Sequence, residues 1–406
     1  MATWKAWSAW SVTATLALLA TGCGQASAVP PGSAQNQVAV GSNGAGTQAP
    51  AQPSANAAVS SNATAATQTK PANPTNSTNP ANQVGQTGKS GTGTTTGTAN
   101  GTTTGTSSPS VAVAQVWPTV RIQVAGHLPI GLLGNALAVS PGGAVYSVGG
   151  YTGVQSLQSI YQVTGSVQRT ALLPVKTHDA AAGFLGTDLY VFGGGQSASY
   201  DTIVRISGSQ VSTVGHLNRP LSDAVAVPFT YHNQPGLVLV GGYDGQVFNQ
   251  EVRFVTLNQG NLTWTNLFAL PHGVRYPAVT SANGNLYIAG GRLASGQLSQ
   301  SVYVWSSLTS TMHLVGYLGT AVEKATLFAK PGFLVVAGGS NQAQNPVTNV
   351  TAMNLETGKT QVVAHLPVPL ADLGYAQTGS QGWLVGGLKS SSETDTNSDI
   401  YTLLLS

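Results

Sequence analysis

Five dipeptides carry much of the chemistry available to this sequence: His178-Asp179, Ser222-Asp223, Arg275-Tyr276, Glu323-Lys324 and Ala371-Asp372. Each falls five and six residues after the leucine of a Leu-Pro-like segment, such as Leu173-Pro174 or Leu366-Pro367. A second set follows paired glycines: Tyr151, Gly195, Tyr243, Arg292, Ser340 and Leu388. Only 7% of the chain is charged, so this placement of acids and cations carries information. Convergent polar groups in a concave setting are what a binding site for a polar ligand requires. A carboxylate such as Glu323 beside Arg275 and Arg292 also has the parts for acid–base work on an anionic sugar. The candidate ligand contacts are therefore Tyr151, His178, Asp179, Asp223, Tyr243, Arg275, Tyr276, Arg292, Glu323, Lys324 and Asp372. The aspartates have a competing structural reading. An Asp ahead of a strand can cap a turn by accepting backbone N–H groups, and Asp179, Asp223 and Asp372 recur at one offset as turn residues would. The arginines and tyrosines have less structural excuse.

Other chemistries are discounted. His127, His216 and His365 each accompany a Leu-Pro-like segment, one per repeat, so they are expected on the outer rims of different repeats. Zinc needs its ligands about 2 Å from the metal, which such residues cannot satisfy together. No metal or cofactor is expected. The sequence has one cysteine, so it contains no internal disulfide. The formal charge of +3 comes from Lys5, Lys70 and Lys89, and the rest of the chain balances its 12 acidic residues. No basic patch with interleaved aromatics appears, which argues against nucleic acid. Low charge with abundant Asn, Gln, Ser and Thr suits an acidic exterior.

The elements that must position these residues repeat. Short apolar runs end in paired glycines at Gly150, Gly194, Gly242, Gly291, Gly339 and Gly387, spaced by 44, 48, 49, 48 and 48 residues. A fixed period near 50 marks a repeat architecture. Each period holds an apolar strand, the glycine-ended strand, a third strand such as SVYVWSS, and a fourth ending in the Leu-Pro-like turn. Val, Ile, Tyr and Thr dominate, as pleated strands prefer, and no extended 3.6-residue apolar period occurs. The double glycine permits a sharp turn and close approach of a neighbouring chain. The last repeat stops at its third strand, DIYTLLLS, and VRIQVAGHLP (120–129) can supply the missing outer strand, closing a ring.

With the diglycine in six repeats, tyrosines at Tyr161, Tyr303 and Tyr401, Phe254 in a matching place and Trp264 in LTWTNL, residues 116–406 resemble the kelch family. The resemblance implies an all-β, six-bladed kelch-like β-propeller over 113–406. In such a blade the loops after the diglycine and before each inner strand share one mouth of the central channel. Two enzyme groups with kelch propellers are relevant. Galactose oxidase resembles this fold but needs a tyrosine cross-linked to cysteine on copper, and the only cysteine here is Cys23. Bacterial sialic acid mutarotases look like exported six-bladed kelch rings of similar size, which implies a sugar-epimerising alternative.

The N-terminus reads as an address. Residues 1–22 hold Lys5 and a short apolar stretch, Val12 to Ala20, too short to span a bilayer. Ala20-Thr21-Gly22-Cys23 then resembles the bacterial lipobox. It implies a signal peptide at 1–22, lipid on Cys23, and export to the outer face of the cell membrane. The competing reading is an ordinary secretory signal that happens to contain a cysteine. Residues 23–112 are almost wholly Ala, Gly, Ser, Thr, Asn, Gln and Pro, which cannot bury enough apolar surface to offset chain entropy. They are expected to form a disordered tether with a span of roughly 50 Å. The function expected is that of a membrane-anchored binding module for a glycan, a cell-wall polymer or a protein.

Overall fold

Strands in this chain are short and come in fours. The structure, a computed structural model, describes residues 115–406, and 1–22 and the segment to residue 112, with Cys23, lie outside the described residues. Within each repeat four antiparallel strands pair in sequence order from the inside outward. The first blade comprises Ala136–Val139, Val145–Val148, Leu157–Gln162 and Gln168–Thr177. The next four begin with inner strands Ala181–Leu185, Val225–Tyr231, Ala278–Ala282 and Thr326–Lys330. The sixth runs Gly374–Thr378, Gln381–Val385, Asn397–Leu405, and its outer strand is Val120–Leu132. The described chain is thus a six-bladed all-β propeller closed by its own N-terminal strand.

Burial explains the patterning. Second strands such as Phe333–Ala337 (FLVVA) are sandwiched between neighbouring blades, so both faces are apolar and alternation disappears. Outer strands such as Gln210–His216 face solvent and are polar. The paired glycines have two physical reasons, visible at Gly193-Gly194. Both have left-handed φ (61° and 80°), and a side chain on Gly193 would overlap the carbonyl oxygen of Leu221. In every blade the second glycine's N–H bonds back to a carbonyl at the end of its own outer strand or a few residues beyond it, as Gly387 does to Leu132 O at 2.7 Å and Gly194 to Leu221 O at 2.8 Å.

The Leu-Pro segments differ from expectation. In three blades they do not end the outer strand but lie inside it: Leu128-Pro129, Leu173-Pro174 and Leu366-Pro367. Pairing breaks across them and resumes later, as from Ser159↔Leu172 to Leu157↔Thr177. Proline cannot donate to a ladder, so it occupies a bulge, while the leucine before it turns into the core. All six equivalent leucines are buried, from Leu173 at 3% exposed to Leu217 at 6%.

The closing strand pairs along both sides of its Leu-Pro bulge. Val120–Leu132 pairs with Asn397–Leu405 from Val120↔Leu405 to Leu132↔Asn397. Thr119 and Ser406 exchange backbone hydrogen bonds at 2.8 and 2.9 Å beyond that register.

Candidate functional site

The residue two positions before each inner strand takes the same backbone conformation in all six blades. Gly134, Asp179, Asp223, Tyr276, Lys324 and Asp372 have φ of 61°, 54°, 60°, 52°, 56° and 56°. Each donates its N–H to the carbonyl of its counterpart in the preceding blade. The bonds run Asp179 to Gly134 (2.7 Å), Asp223 to Asp179 (2.9 Å), Tyr276 to Asp223 (3.1 Å), Lys324 to Tyr276 (3.4 Å) and Asp372 to Lys324 (2.9 Å). Gly134 donates to Asp372 (2.8 Å), and the circuit is complete. A closed belt of six hydrogen bonds therefore rings one mouth of the channel.

A second tier of backbone pairs fixes the two sets of candidate residues to each other. The residue before each belt position forms a bridge with the residue after the diglycine of the same turn: Leu133 with Tyr151, His178 with Gly195, Ser222 with Tyr243, Glu323 with Ser340 and Ala371 with Leu388. In the fourth blade this grows into a two-residue ladder, Val274↔Leu293 and Arg275↔Arg292. All eleven candidate residues are consequently on or beside the belt. The sixth pair, Leu133-Gly134, was not among the dipeptides singled out in the sequence. The signal was present, because it also falls five and six residues after a Leu-Pro leucine, Leu128.

The aspartates do not cap turns in the way the structural reading expected. Their left-handed φ, which Asp tolerates, serves the belt, while Asp223 and Asp372 direct their carboxylates at cations. Asp223 Oδ2 accepts from Arg275 Nε at 2.7 Å and from Ser222 Oγ at 3.0 Å. Asp372 Oδ2 accepts from Lys324 Nζ at 2.6 Å. Glu323 accepts from Arg292, with Nε to Oε2 at 2.7 Å. Each pair joins neighbouring blades, and each carboxylate is nearly buried, from 1% exposed at Asp223 to 8% at Asp372. Arg275 is also enclosed by aromatic rings: its guanidinium carbon lies 4.5 Å from the centre of Tyr243, 4.9 Å from Tyr276 and 5.6 Å from Phe248. Lys324 Nζ covers Tyr276 at 4.5 Å. Phe248 carried no motif and was missed. Tyr151 stacks obliquely on His178, whose Nδ1 lies 2.8 Å from Ser156 Oγ.

The electrostatics follow from burial and crowding. Burial, then the negative charges of Asp372 and Asp223, push the Asp179 carboxyl well above its usual range, against the opposing pull of Lys324. Burial and the three aspartates likewise raise the Tyr276 phenol. For Lys324, burial opposes the charge but Asp372, Asp179 and Glu323 outweigh it, so its pKa rises. Burial lowers His178 despite nearby Asp372 and Asp223.

Below the belt the channel is not an open bore. The Tyr375 hydroxyl, on the sixth inner strand, accepts from Val279 N–H at 2.7 Å and donates to Val279 C=O at 2.9 Å on the fourth. Tyr375 lines two cavities, one of about 90 Å³ against the belt residues and one of about 390 Å³ among Phe184, Val227, Pro228 and Gln377 on the other side. Nothing in the sequence distinguished Tyr375 from a strand tyrosine. His127, His216 and His365 sit on outer strands, the first two bonded to Asp399 (2.8 Å) and Asp201 (3.0 Å), the last 3.3 Å from Thr348 Oγ1. Among the described residues no three His, Cys, Asp or Glu side chains are grouped to hold a metal ion.

Fold and mouth together define a six-bladed β-propeller with a hydrogen-bonded collar and charged side chains set around its axis. The chain is similar to the solved structure of YjhT, with a TM-score of 0.59 and 13% identity over 68% of this chain and 96% of that one. At that identity the likeness concerns the fold. No family model matches the chain, and no curated protein does. Matches to 745 chains of solved structures reflect a recurrent architecture, from which function cannot be read without the site.

Proposed function

We propose that this chain is an extracytoplasmic binding module of kelch type, anchored through lipid on Cys23, with residues 23–112 as a disordered tether, that takes its ligand at the belt mouth. The ligand class is a glycan, a cell-wall polymer or a protein. One observation carries the reading: side chains from five of the six blades converge at one collar, and two of them, Tyr276 and Lys324, keep left-handed φ that bulky residues avoid. Backbone cost at a mouth where Asn or Gly would be easier points to a use for those side chains. Thermal unfolding of the full chain against neutral, amino, uronic and sialic sugars and wall fragments tests it. A ligand at 100 times its Kd adds about 2.7 kcal/mol, a shift of a few degrees for a domain of this size. A shift abolished by Arg275→Ala or Lys324→Ala supports the mouth, and a shift untouched by both moves the site elsewhere. Labelling with a radioactive fatty acid, present in the native chain and absent in Cys23→Ser, tests the anchor.

A second reading, a sugar-active enzyme akin to the sialic acid mutarotases, has one specific support. Arg275 and Arg292 are cross-strand partners, and Glu323 is bonded to Arg292. An acid–base role requires one of these ion pairs to open on binding. Following anomer exchange of N-acetylneuraminic acid by NMR decides it, since no acceleration by the native chain over Glu323→Gln removes this reading.

A further inference from the structure

The cations at the mouth are one short of its carboxylates. Arg275 serves Asp223, Lys324 serves Asp372 and Arg292 serves Glu323. Asp179 is left with His178, whose Nε2 is 3.8 Å from Asp179 Oδ2. Beside it, Asp223 uses Oδ2 for Arg275 and Ser222, while its Oδ1 is buried with no hydrogen-bond partner. A buried acceptor left unsatisfied costs on the order of 1–3 kcal/mol, and while Asp179 is ionised no side chain supplies the donor that Oδ1 calls for. Both aspartates line the cavity of about 90 Å³ inside the belt, too small for a whole sugar ring but large enough for one head group.

We propose that this axial cavity receives a primary ammonium group, which donates to Asp223 Oδ1 and to the Asp179 carboxylate and supplies the missing positive charge. The inference rests on the reading of the belt mouth as the binding site and names its ligand class: a small amine, with an amino sugar as the form that suits a glycan-binding module. An ammonium brings three N–H donors and one charge, which matches a site rich in acceptors. A metal ion fits less well, because the Oδ2 atoms of Asp223 and Asp372 are already committed to side-chain cations.

In the empty site a proton does the same work. The raised pKa of Asp179 favours the protonated carboxyl, and an O–H there can donate to Asp223. The groups facing Asp179 are His178 from its own blade, Asp223 and Tyr276 from the following blades, and Lys324 and Asp372 across the belt. Their balance favours an added proton or cation. Ammonium and proton therefore compete, and binding releases one proton.

Isothermal titration of the full chain with glucosamine, N-acetylglucosamine and Nα-acetyl-lysine amide tests this, in two buffers of different protonation enthalpy. Between about pH 4.5 and 6.5 the amines stay charged. The expected result is binding by the amines and not by the acetylated sugar, release of close to one proton, and affinity rising by about tenfold per pH unit while Asp179 remains protonated. Stronger binding of glucosamine than of the lysine derivative assigns the group to a sugar, and the reverse assigns it to a protein side chain. Asp179→Asn should weaken binding tenfold or more and remove the pH dependence. The proton count on the native chain needs no variant, so a misfolded variant does not block the test. Equal binding of glucosamine and N-acetylglucosamine overturns the ammonium proposal while leaving a sugar site at the mouth. Amine binding without proton release overturns the Asp179 role, and therefore the proposal. If none of the three binds, the proposal falls, and the wider sugar panel judges the binding-module reading separately.

Discussion

Arg275 is held from several sides at once, by the Asp223 carboxylate, the Tyr243 and Tyr276 rings and the Tyr276 hydroxyl 3.0 Å from Nη2. Arg275→Ala removes these contacts and leaves Asp223, 1% exposed, without its cation. Breaking a buried pair costs about 3–5 kcal/mol, and because Arg275 is itself about a quarter exposed, a loss of about 2–3 kcal/mol is expected in chemical denaturation. Asp179 makes a prediction of the opposite kind. Its folded pKa lies above the unfolded value of about 3.9, so its contribution to stability is complete below that value and is lost as pH rises through the folded pKa. Asp179→Asn, which does not titrate, should flatten the fall of Tm with rising pH above about 4. An unchanged pH profile in the variant removes Asp179 as the cause. His178 works in reverse, because its pKa is lowered: its share is present above about 6.5 and lost as pH falls through the folded value.

At the scale of strands and turns, the sequence announced the diglycines because each is a backbone necessity repeated six times. The belt was legible only in part. Its positions showed through the charged residues that occupy them, but its cause, one left-handed residue per blade bonded to the next, has no fixed residue type. Gly134 completes the circuit with no side chain, and it escaped notice for that reason. Tyr375 and Phe248 escaped because an aromatic inside a strand or loop has the same local signature whether it fills a core or spans a channel. In three blades the Leu-Pro segments lie inside the outer strand and not at its end, which escaped notice because a bulge and a turn share the same composition, whereas in the other three the strand does stop there. Turn strain can be read more directly. Gln259 and Gly260 form a two-residue hairpin turn between Glu251–Asn258 and Asn261–Ala269 with φ of 50° and 81°. Asn tolerates this conformation better, so Gln259→Asn should raise stability by about 0.5–1 kcal/mol, read as a higher denaturation midpoint with an unchanged m-value.

For the ring as a whole, the repeat period and the missing outer strand of the last repeat were enough to anticipate six blades and closure by residues 120–129. The observed strand continues to Leu132, beyond the Leu-Pro bulge, and so delivers Gly134 to the belt. Removing residues 1–132 would uncover the edge of Asn397–Leu405 and strip the cover from Leu403 and Ile400, which are fully buried. The truncated ring is expected to lose its cooperative thermal transition and to aggregate, as exposed sheet edges do. A sharp transition near that of the native chain would mean that closure by this strand is dispensable. The same clasp has a mechanical side. Thr119 and Ser406 share one rung, and Val120↔Leu405 is the next. A pull that separates these two residues loads one rung at a time, and the joint parts like a zip at low force. A pull along the strand axis, with the blades gripped elsewhere, puts the 13-residue strand in shear, where many rungs share the load. The direction from which the ring is tugged, more than the number of its bonds, sets how firmly it stays shut.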